Sequence, residues 1–426
     1  ASPRLASVEP GFPRELHRRA AEWLRSRGLV AEALEHAAAA GDHAVVAELL
    51  SEDHLALIRN GRSGTLLRWA RTLPDELVSE NPDVALGAAT AALLVGRMTR
   101  ERRRLLRLAS QAKAHAPERF GPYEESMMAM VRCAGIDEGV TEAIVEGHRA
   151  VELAFARGGA DETMVAALAA LARALYFGGS FEQAWSAASR AVEYPEAARR
   201  APAYALARAT LAVLAAEGDR LHPARTHAVA ARAAVGRIAS SRSWLGANAA
   251  EALGTVLAAE GDFAGAEREL SHAERFVGDD VATVHHARLL LRLADVRCRR
   301  GRVDEAEATL AAAREELAEL GDSGIVGSLA AGAADAIQEA RRQASSGAIL
   351  ELPSDAELAV LRLLTTDLSA REIGAKLFLS PNTVRSHTRS IYRKLRVGSR
   401  EDAVAAAQAA GLLRERDHPG DRSALA

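Results

Sequence analysis

The chain has 426 residues, 49% of them apolar, 26% charged and only 4% aromatic, with a formal net charge of −3. That length exceeds one compact core and predicts two or more units. The apolar share excludes a disordered or collagen-like polymer. Ala, Leu and Arg dominate and sheet-favouring residues are scarce, so the composition predicts an all-helical fold. The two cysteines, Cys133 and Cys298, stand far apart, which argues against a disulfide framework or a structural zinc site and fits a reducing cytoplasm. Neither a long uncharged apolar run nor a secretory signal is found, so no membrane partner is expected.

From Leu16 to Arg341 the sequence reads as helix after helix. The first, LHRRAAEWLRSRG, places Leu16, Ala20, Trp23 and Leu24 on one face and stops at Gly28. LVAEALEHAAAAGD and HAVVAELLSEDHLALIRNG follow, and Pro74 and Pro82 bracket a loop, TLPDELVSENP. A Gly turn followed by an amphipathic helix then recurs at Gly179, Gly218, Gly261 and Gly301, spaced 39, 43 and 40 residues apart, with Gly96 and Gly139 as earlier copies. A two-helix repeat of that period predicts a tetratricopeptide-like solenoid; unrelated helices in one bundle are the alternative, which the regular spacing disfavours. Alanine suits such an array because small side chains let helices approach closely. Tyr176, Phe177, Trp185, Tyr204 and Trp244 are the aromatics that would line an effector groove between repeats. Filling the solenoid core is the plainer alternative for them.

After ASSGAILE (344–351), which reads as a linker, the character changes. A capping box, Ser354 with Glu357, opens a helix with Leu358, Val360, Leu361 and Leu364 as its apolar face. Ser369 caps a second helix carrying Ile373 and Leu377, and Phe378-Leu379 makes a tight connection. Ser380 caps a third, with Pro381 at its first position. On that third helix Val384, Thr388, Ile391 and Leu395 form one stripe, and Asn382, Arg385, Ser386, Arg389, Arg393 and Arg396 lie opposite. Between Ser380 and Arg396 there are five Lys or Arg and no acidic residue, and residues 352–400 carry a net +5 against −8 for the rest. A charge run by itself usually marks a solvated face. Here the stacked cap signals, the short turn and the absence of acids predict a helix-turn-helix that enters the major groove of double-stranded DNA. Thr383, Lys394 and the helix N-terminus at Ser380 suit phosphates.

LSAREIGAKLFLSPNTVRSHTRSIYRKL, followed by VGSREDAV, closely resembles the LuxR-type (GerE-type) DNA-binding domain over about sixty residues, Leu352 to Leu413. The resemblance implies a four-helix domain whose third helix reads bases and whose fourth, roughly Ser399 to Ala410, pairs with a second copy. By position it implies base contacts from Arg385, Ser386 and Arg389. Backbone contacts would come from Arg371, Ser380, Asn382, Thr383, His387, Arg393 and Lys394, and dimer contacts from Ala403, Val404 and Ala407. RNA polymerase is a further partner it implies. Two departures stand out: Pro353-Ser354-Asp355-Ala356-Glu357 replaces the usual Leu-Thr-Pro-Arg-Glu opening, and Arg396 stands where Gly is frequent. LHRRAAEWLRSRGLVAEALEHAAAAGD and LLRWARTLPDELVSENPDVAL, between Arg4 and about Arg97, are similar to the helical sensor region of large ATP-dependent, MalT-like LuxR regulators. No Gly-x-x-x-x-Gly-Lys-Ser/Thr occurs, so the ATPase activity of those proteins does not transfer. Together with the first residue, Ala1, this reads as a C-terminal fragment or a protein without its motor.

No His-Glu-x-x-His or Gly-x-Ser-x-Gly occurs. His285-His286 point apart on a helix, Asp279-Asp280 read as a solvated loop, and Gly158-Gly159 and Gly178-Gly179 read as helix stops. The expectation is therefore a non-enzymatic, cytoplasmic transcription regulator without cofactor or metal. Residues 1–343 would sense an unknown small-molecule or protein effector, 352–413 would bind DNA as a homodimer, and 414–426 would form a disordered tail. The acidic remainder could dock on the basic domain and mask it. The alternative is an interaction scaffold whose terminal helices only dimerise.

Overall fold

A computed structural model of the chain describes residues 12–96, 98–158, 162–194, 201–237, 243–277, 283–345, 353–366, 368–410 and 412–413. They are helical, with no strand among them. An opening group comprises α1 (Phe12–Ser26), α2 (Val30–Ala39), α3 (His43–Arg59), α4 (Ser63–Ala70) and α5 (Asp75–Glu80). Two expectations change here. The segment between Pro74 and Pro82 is not a loop but contains α5, which Pro74 precedes and Asp75 and Glu76 favour at its positive end. On α1 the buried position is Ala21, while Leu16 and Trp23 are exposed.

Six hairpins follow. Their first helices are α6 (Pro82–Val95), α8 (Pro122–Gly135), α10 (Glu162–Phe177), α12 (Ala201–Glu217), α14 (Trp244–Glu260) and α16 (Val284–Arg299). Their second helices are α7 (Thr99–His115), α9 (Val140–Ala156), α11 (Phe181–Glu193), α13 (Leu221–Arg237), α15 (Phe263–Val277) and α17 (Val303–Glu319), and α18 (Ile325–Ser345) ends the array. Each first helix packs against its own partner and against the next first helix, which is a solenoid. The first helices lie inside the array, and every residue from Trp244 to Val256 of α14 is buried. A helix apolar all round is stable only in such a position.

The recurring glycines close the hairpins. Gly179, Gly261 and Gly301 have φ of 79°, 87° and 75°. In each case the next residue's N–H bonds back to the carbonyl five residues earlier, as Asp262 does to Leu257 at 2.9 Å. In the α12–α13 turn the left-handed residue is Asp219 (φ 57°), not Gly218, so these turn positions are spaced 40, 42 and 40. Gly96 and Gly139 occupy the α6–α7 and α8–α9 turns.

The coil then meets itself. A Cβ at Gly96 would lie 3.1 Å from the Phe276 carbonyl oxygen and 3.3 Å from the Trp244 nitrogen, so α6 abuts α14. The Val140 amide donates to the Asp322 carbonyl at 3.2 Å, and the Thr141 amide to its carboxylate at 2.7 Å. These contacts leave a lumen between the first helices.

The C-terminal unit has its own core, built on Val360, Leu361, Ile373, Val384, Ile391, Leu395, Ala403 and Ala407. Its helices are α19 (Asp355–Leu364), α20 (Ala370–Leu377), α21 (Pro381–Leu395) and α22 (Arg400–Ala409). α18 runs through Ser345, so 344–345 of the expected linker are helical. The rest of that linker, the tail from 414, Asp279-Asp280 and Gly159 lie outside the described residues. Among those described, no helix is long and apolar enough to cross a membrane.

Candidate nucleic-acid interface

Three serines start three helices of the C-terminal unit. Ser354 and Ser369 form capping boxes with Glu357 and Glu372, and the Ser380 hydroxyl accepts the Thr383 amide at 3.1 Å. Between α20 and α21 the chain turns at Phe378 (φ 58°), which is 96% exposed. Gly374 permits this turn: a Cβ there would sit 2.6 Å from the Leu379 carbonyl oxygen. α21 therefore crosses α20 closely and buries Val384, Ile391 and Leu395, while the Thr388 hydroxyl turns back to the Val384 carbonyl at 2.8 Å.

The opposite side of α21 carries Asn382, Arg385, Ser386, Arg389, Arg393 and Arg396, all exposed. Arg385 donates to Asn382 Oδ1 at 3.1 Å and Arg393 to Ser390 Oγ at 3.4 Å. Arg371 and Ser380 are also exposed, and Thr383 and His387 are half-buried. Lys394 differs from the rest. Its Nζ lies 2.9 Å from Glu357 Oε2, and both side chains are largely buried. Burial raises the Glu357 carboxyl, but bonds from Ser390, Lys394 and Ser354 outweigh it and bring it down to about 2. On α22, Ala403 and Ala407 are fully buried in the domain's own core and Val404 is half-buried, which leaves Glu401, Ala405 and Gln408 on the outer face.

A short helix followed by a longer one with an inward apolar stripe and an outward cationic face is a helix-turn-helix. Residues 354–407 match the family described as bacterial regulatory proteins, luxR family, and the segment is a LuxR-type domain. The serine/threonine-protein kinase PknK of Mycobacterium tuberculosis (strain CDC 1551 / Oshkosh) is 37% identical over 83 residues, 20% of this chain and 8% of that protein. A nitrate/nitrite response regulator protein homolog of Haemophilus influenzae is 46% identical over 55 residues, 13% of this chain and 26% of that protein. The chain thus spans under a tenth of the first of these relatives and about a quarter of the second. A solved Rap protein complexed with competence and sporulation factor overlays 82% of this chain and 98% of its own, at 16% identity and a TM-score of 0.46. That likeness is too low to carry an argument. The LuxR-type domain supports a DNA-binding transcriptional regulator, and the family is regulatory by its description.

The cationic face of α21 meets the solenoid. Arg389 Nη2 donates to the Ala259 carbonyl at 3.0 Å. That carbonyl belongs to the last turn of α14, where the backbone dipole is negative. A cleft of about 960 Å³ separates Asn382, Arg385, Ser386 and Arg389 from His222, Arg225, Glu260 and Asp262. Beside it the Tyr392 hydroxyl is pushed up to about 12, by burial first and then by Asp262 and Asp402, against the pull of Arg400. A second contact lies one hairpin on, where Gly398 packs on Arg300. Docking of the acidic remainder was an expectation, but the sequence did not single out these partners, which are ordinary residues at the ends of α13 and α14 and in the turns after α14 and α16.

The five aromatics are not brought together. Phe177 is wholly buried. The buried Tyr176 donates to Glu217 at 3.0 Å and accepts from Arg292 at 2.8 Å. Trp185, beneath the Arg220 guanidinium, and Tyr204, bonded to Arg208, meet around His227 on α11, α12 and α13. Of the five, Trp244 lines the lumen cavity.

Proposed function

We propose that the chain is a transcription regulator that binds double-stranded DNA through α21, and that the solenoid facing this helix across the cleft keeps a duplex from it until an effector or partner releases it. The observation that carries the reading is the exposed row Arg385, Ser386 and Arg389 on the outward face of a LuxR-type α21. Arg pairs bidentately with guanine in the major groove. Arg371, Arg393 and the N-terminus of α21 at Ser380, all exposed, would meet phosphates. Dimerisation on DNA would use the outer face of α22, since Ala403 and Ala407 point inward. The Arg389–Ala259 bond supports covering, because the guanidinium that would read a base is held by a backbone carbonyl.

Selection of bound duplexes from a random pool, followed by anisotropy titration at two salt concentrations, tests the reading. Arg385→Ala is expected to relax preference at one base step and to cost about 1–3 kcal/mol on the selected site. If no duplex is enriched, or if this variant binds the selected site as tightly as the parent, α21 is not the reading helix and the scaffold alternative takes its place.

A further inference from the structure

The lumen holds a cavity of about 360 Å³ where α3, α6, α8, α10, α12 and α14 face one another. One stripe of α10 sets its depth. Thr163, Ala166, Ala170, Arg173 and Phe177 recur at steps of three and four residues and share a face. The first three are small and line the cavity. The last two are large and close it: the Arg173 guanidinium lies 5.1 Å from the Phe177 ring and 5.9 Å from that of Trp244. Below them the buried Glu251 carboxylate lies 2.9 Å from His285 Nε2, 3.2 Å from Arg292 Nε and 3.5 Å from Arg173 Nη2. The floor of the cavity is therefore part of the folded core.

The other walls include Leu93 on α6, Met127 and Met130 on α8, Leu206 on α12 and Trp244 on α14. The two methionines make one wall that adapts to shape. Helical interiors pack to crystal density, so a space this large is not a packing defect. An apolar cavity of about 150 Å³ accepts one benzene. The lumen therefore has room for a body of about two rings. Water fits such walls poorly, because a buried water needs about two to four polar partners. The Thr90 hydroxyl on the wall already donates to the Leu86 carbonyl at 2.9 Å. An apolar body in this space takes wall surface and its own surface out of water together, which is the main source of affinity in such a site.

Trp244 is the first residue of α14, and the last turn of the same helix supplies the Ala259 carbonyl that holds Arg389. We propose that the lumen is a binding site for an apolar molecule of about two-ring size, and that this molecule is the effector, acting on α21 through α14. The second half rests on the regulator reading above; the first half does not.

The test uses the full chain with naphthalene as probe, benzene as a smaller apolar comparison and sucrose as a polar molecule of similar ring count. Equilibrium dialysis should give one naphthalene per chain, bound at least about tenfold more tightly than benzene, with sucrose not retained. Naphthalene should also raise the melting temperature, as any ligand of the folded state does. Ala166→Phe, which places a ring in the space from α10, should abolish naphthalene binding without lowering the melting temperature; if it misfolds, Ala203→Phe fills the space from α12. Equal affinity for benzene and naphthalene, retention of sucrose, or undiminished binding in the filled variants overturns the site. DNA anisotropy on the same samples separates the two halves. Naphthalene binding without any change in DNA affinity overturns the effector role and leaves the site standing. Naphthalene binding with no DNA binding under any condition supports the site and removes the regulator reading.

Discussion

Arg396 ends α21 with φ of 56°, and the turn it makes lets the Val397 amide reach the Tyr392 carbonyl at 2.9 Å. For a residue with a Cβ this region costs about 1–2 kcal/mol, which glycine does not lose. The family resemblance has Gly frequent here, and the structure shows why: the connection to α22 needs a left-handed residue whatever its side chain. Arg396→Gly is expected to stabilise the C-terminal unit by about 1 kcal/mol in thermal unfolding, the extra freedom of Gly in the unfolded chain taking back part of the gain. Removing one exposed cation should weaken DNA binding slightly without altering sequence preference. A lowered melting temperature would mean that the arginine side chain makes an interaction worth more than the strain.

Between elements, the Glu357–Lys394 pair ties the start of α19 to the end of α21. Sequence position assigns Lys394 to a phosphate, and the geometry assigns it to a carboxylate that also closes a capping box. The two roles separate experimentally. If Lys394 held a phosphate, Lys394→Ala would flatten the salt slope of DNA binding by nearly one unit with stability intact. The buried pair predicts instead an unchanged slope and a loss of about 3 kcal/mol in urea unfolding, because Glu357 is left without its cation. The pH dependence has a definite sign. Glu357 ionises at about 2 in the folded domain, below the ordinary carboxylate value, so its contribution is complete above that ordinary value and disappears as pH falls through 2. Replacing Glu357 by Gln should remove this acid dependence from the unfolding curve of the C-terminal unit. The caps and stripes of these helices were legible because they are local; the partner of Lys394 was not, since 37 residues separate the two charges.

At the scale of the whole molecule, the repeat was legible because each hairpin needs a left-handed residue at the same place, and glycine usually fills it. Asp219 filled it once and shifted the apparent period by a residue. The closure of the coil, and with it the lumen, left no local trace: the approach of Gly96 to Trp244 depends on the rotation accumulated over four hairpins. Docking of the C-terminal unit is of the same kind, and it can be broken at one atom. A Cβ at Gly398 would lie 2.5 Å from the Arg300 Cα, a backbone atom that cannot move aside. Gly398→Ala is therefore expected to push the unit off the solenoid and to uncover Arg389 without touching the cationic face. Apparent DNA affinity is reduced by the fraction of molecules that are competent, so a covered state populated at nine parts in ten predicts a gain of about tenfold. Removing negative charge from the opposing turn, by Glu260→Gln with Asp262→Asn, should act in the same direction through a different set of groups. Anisotropy with the selected duplex measures both variants against the parent. If neither binds more tightly, the docked arrangement does not limit access to DNA, and the solenoid acts on transcription by some route other than covering α21.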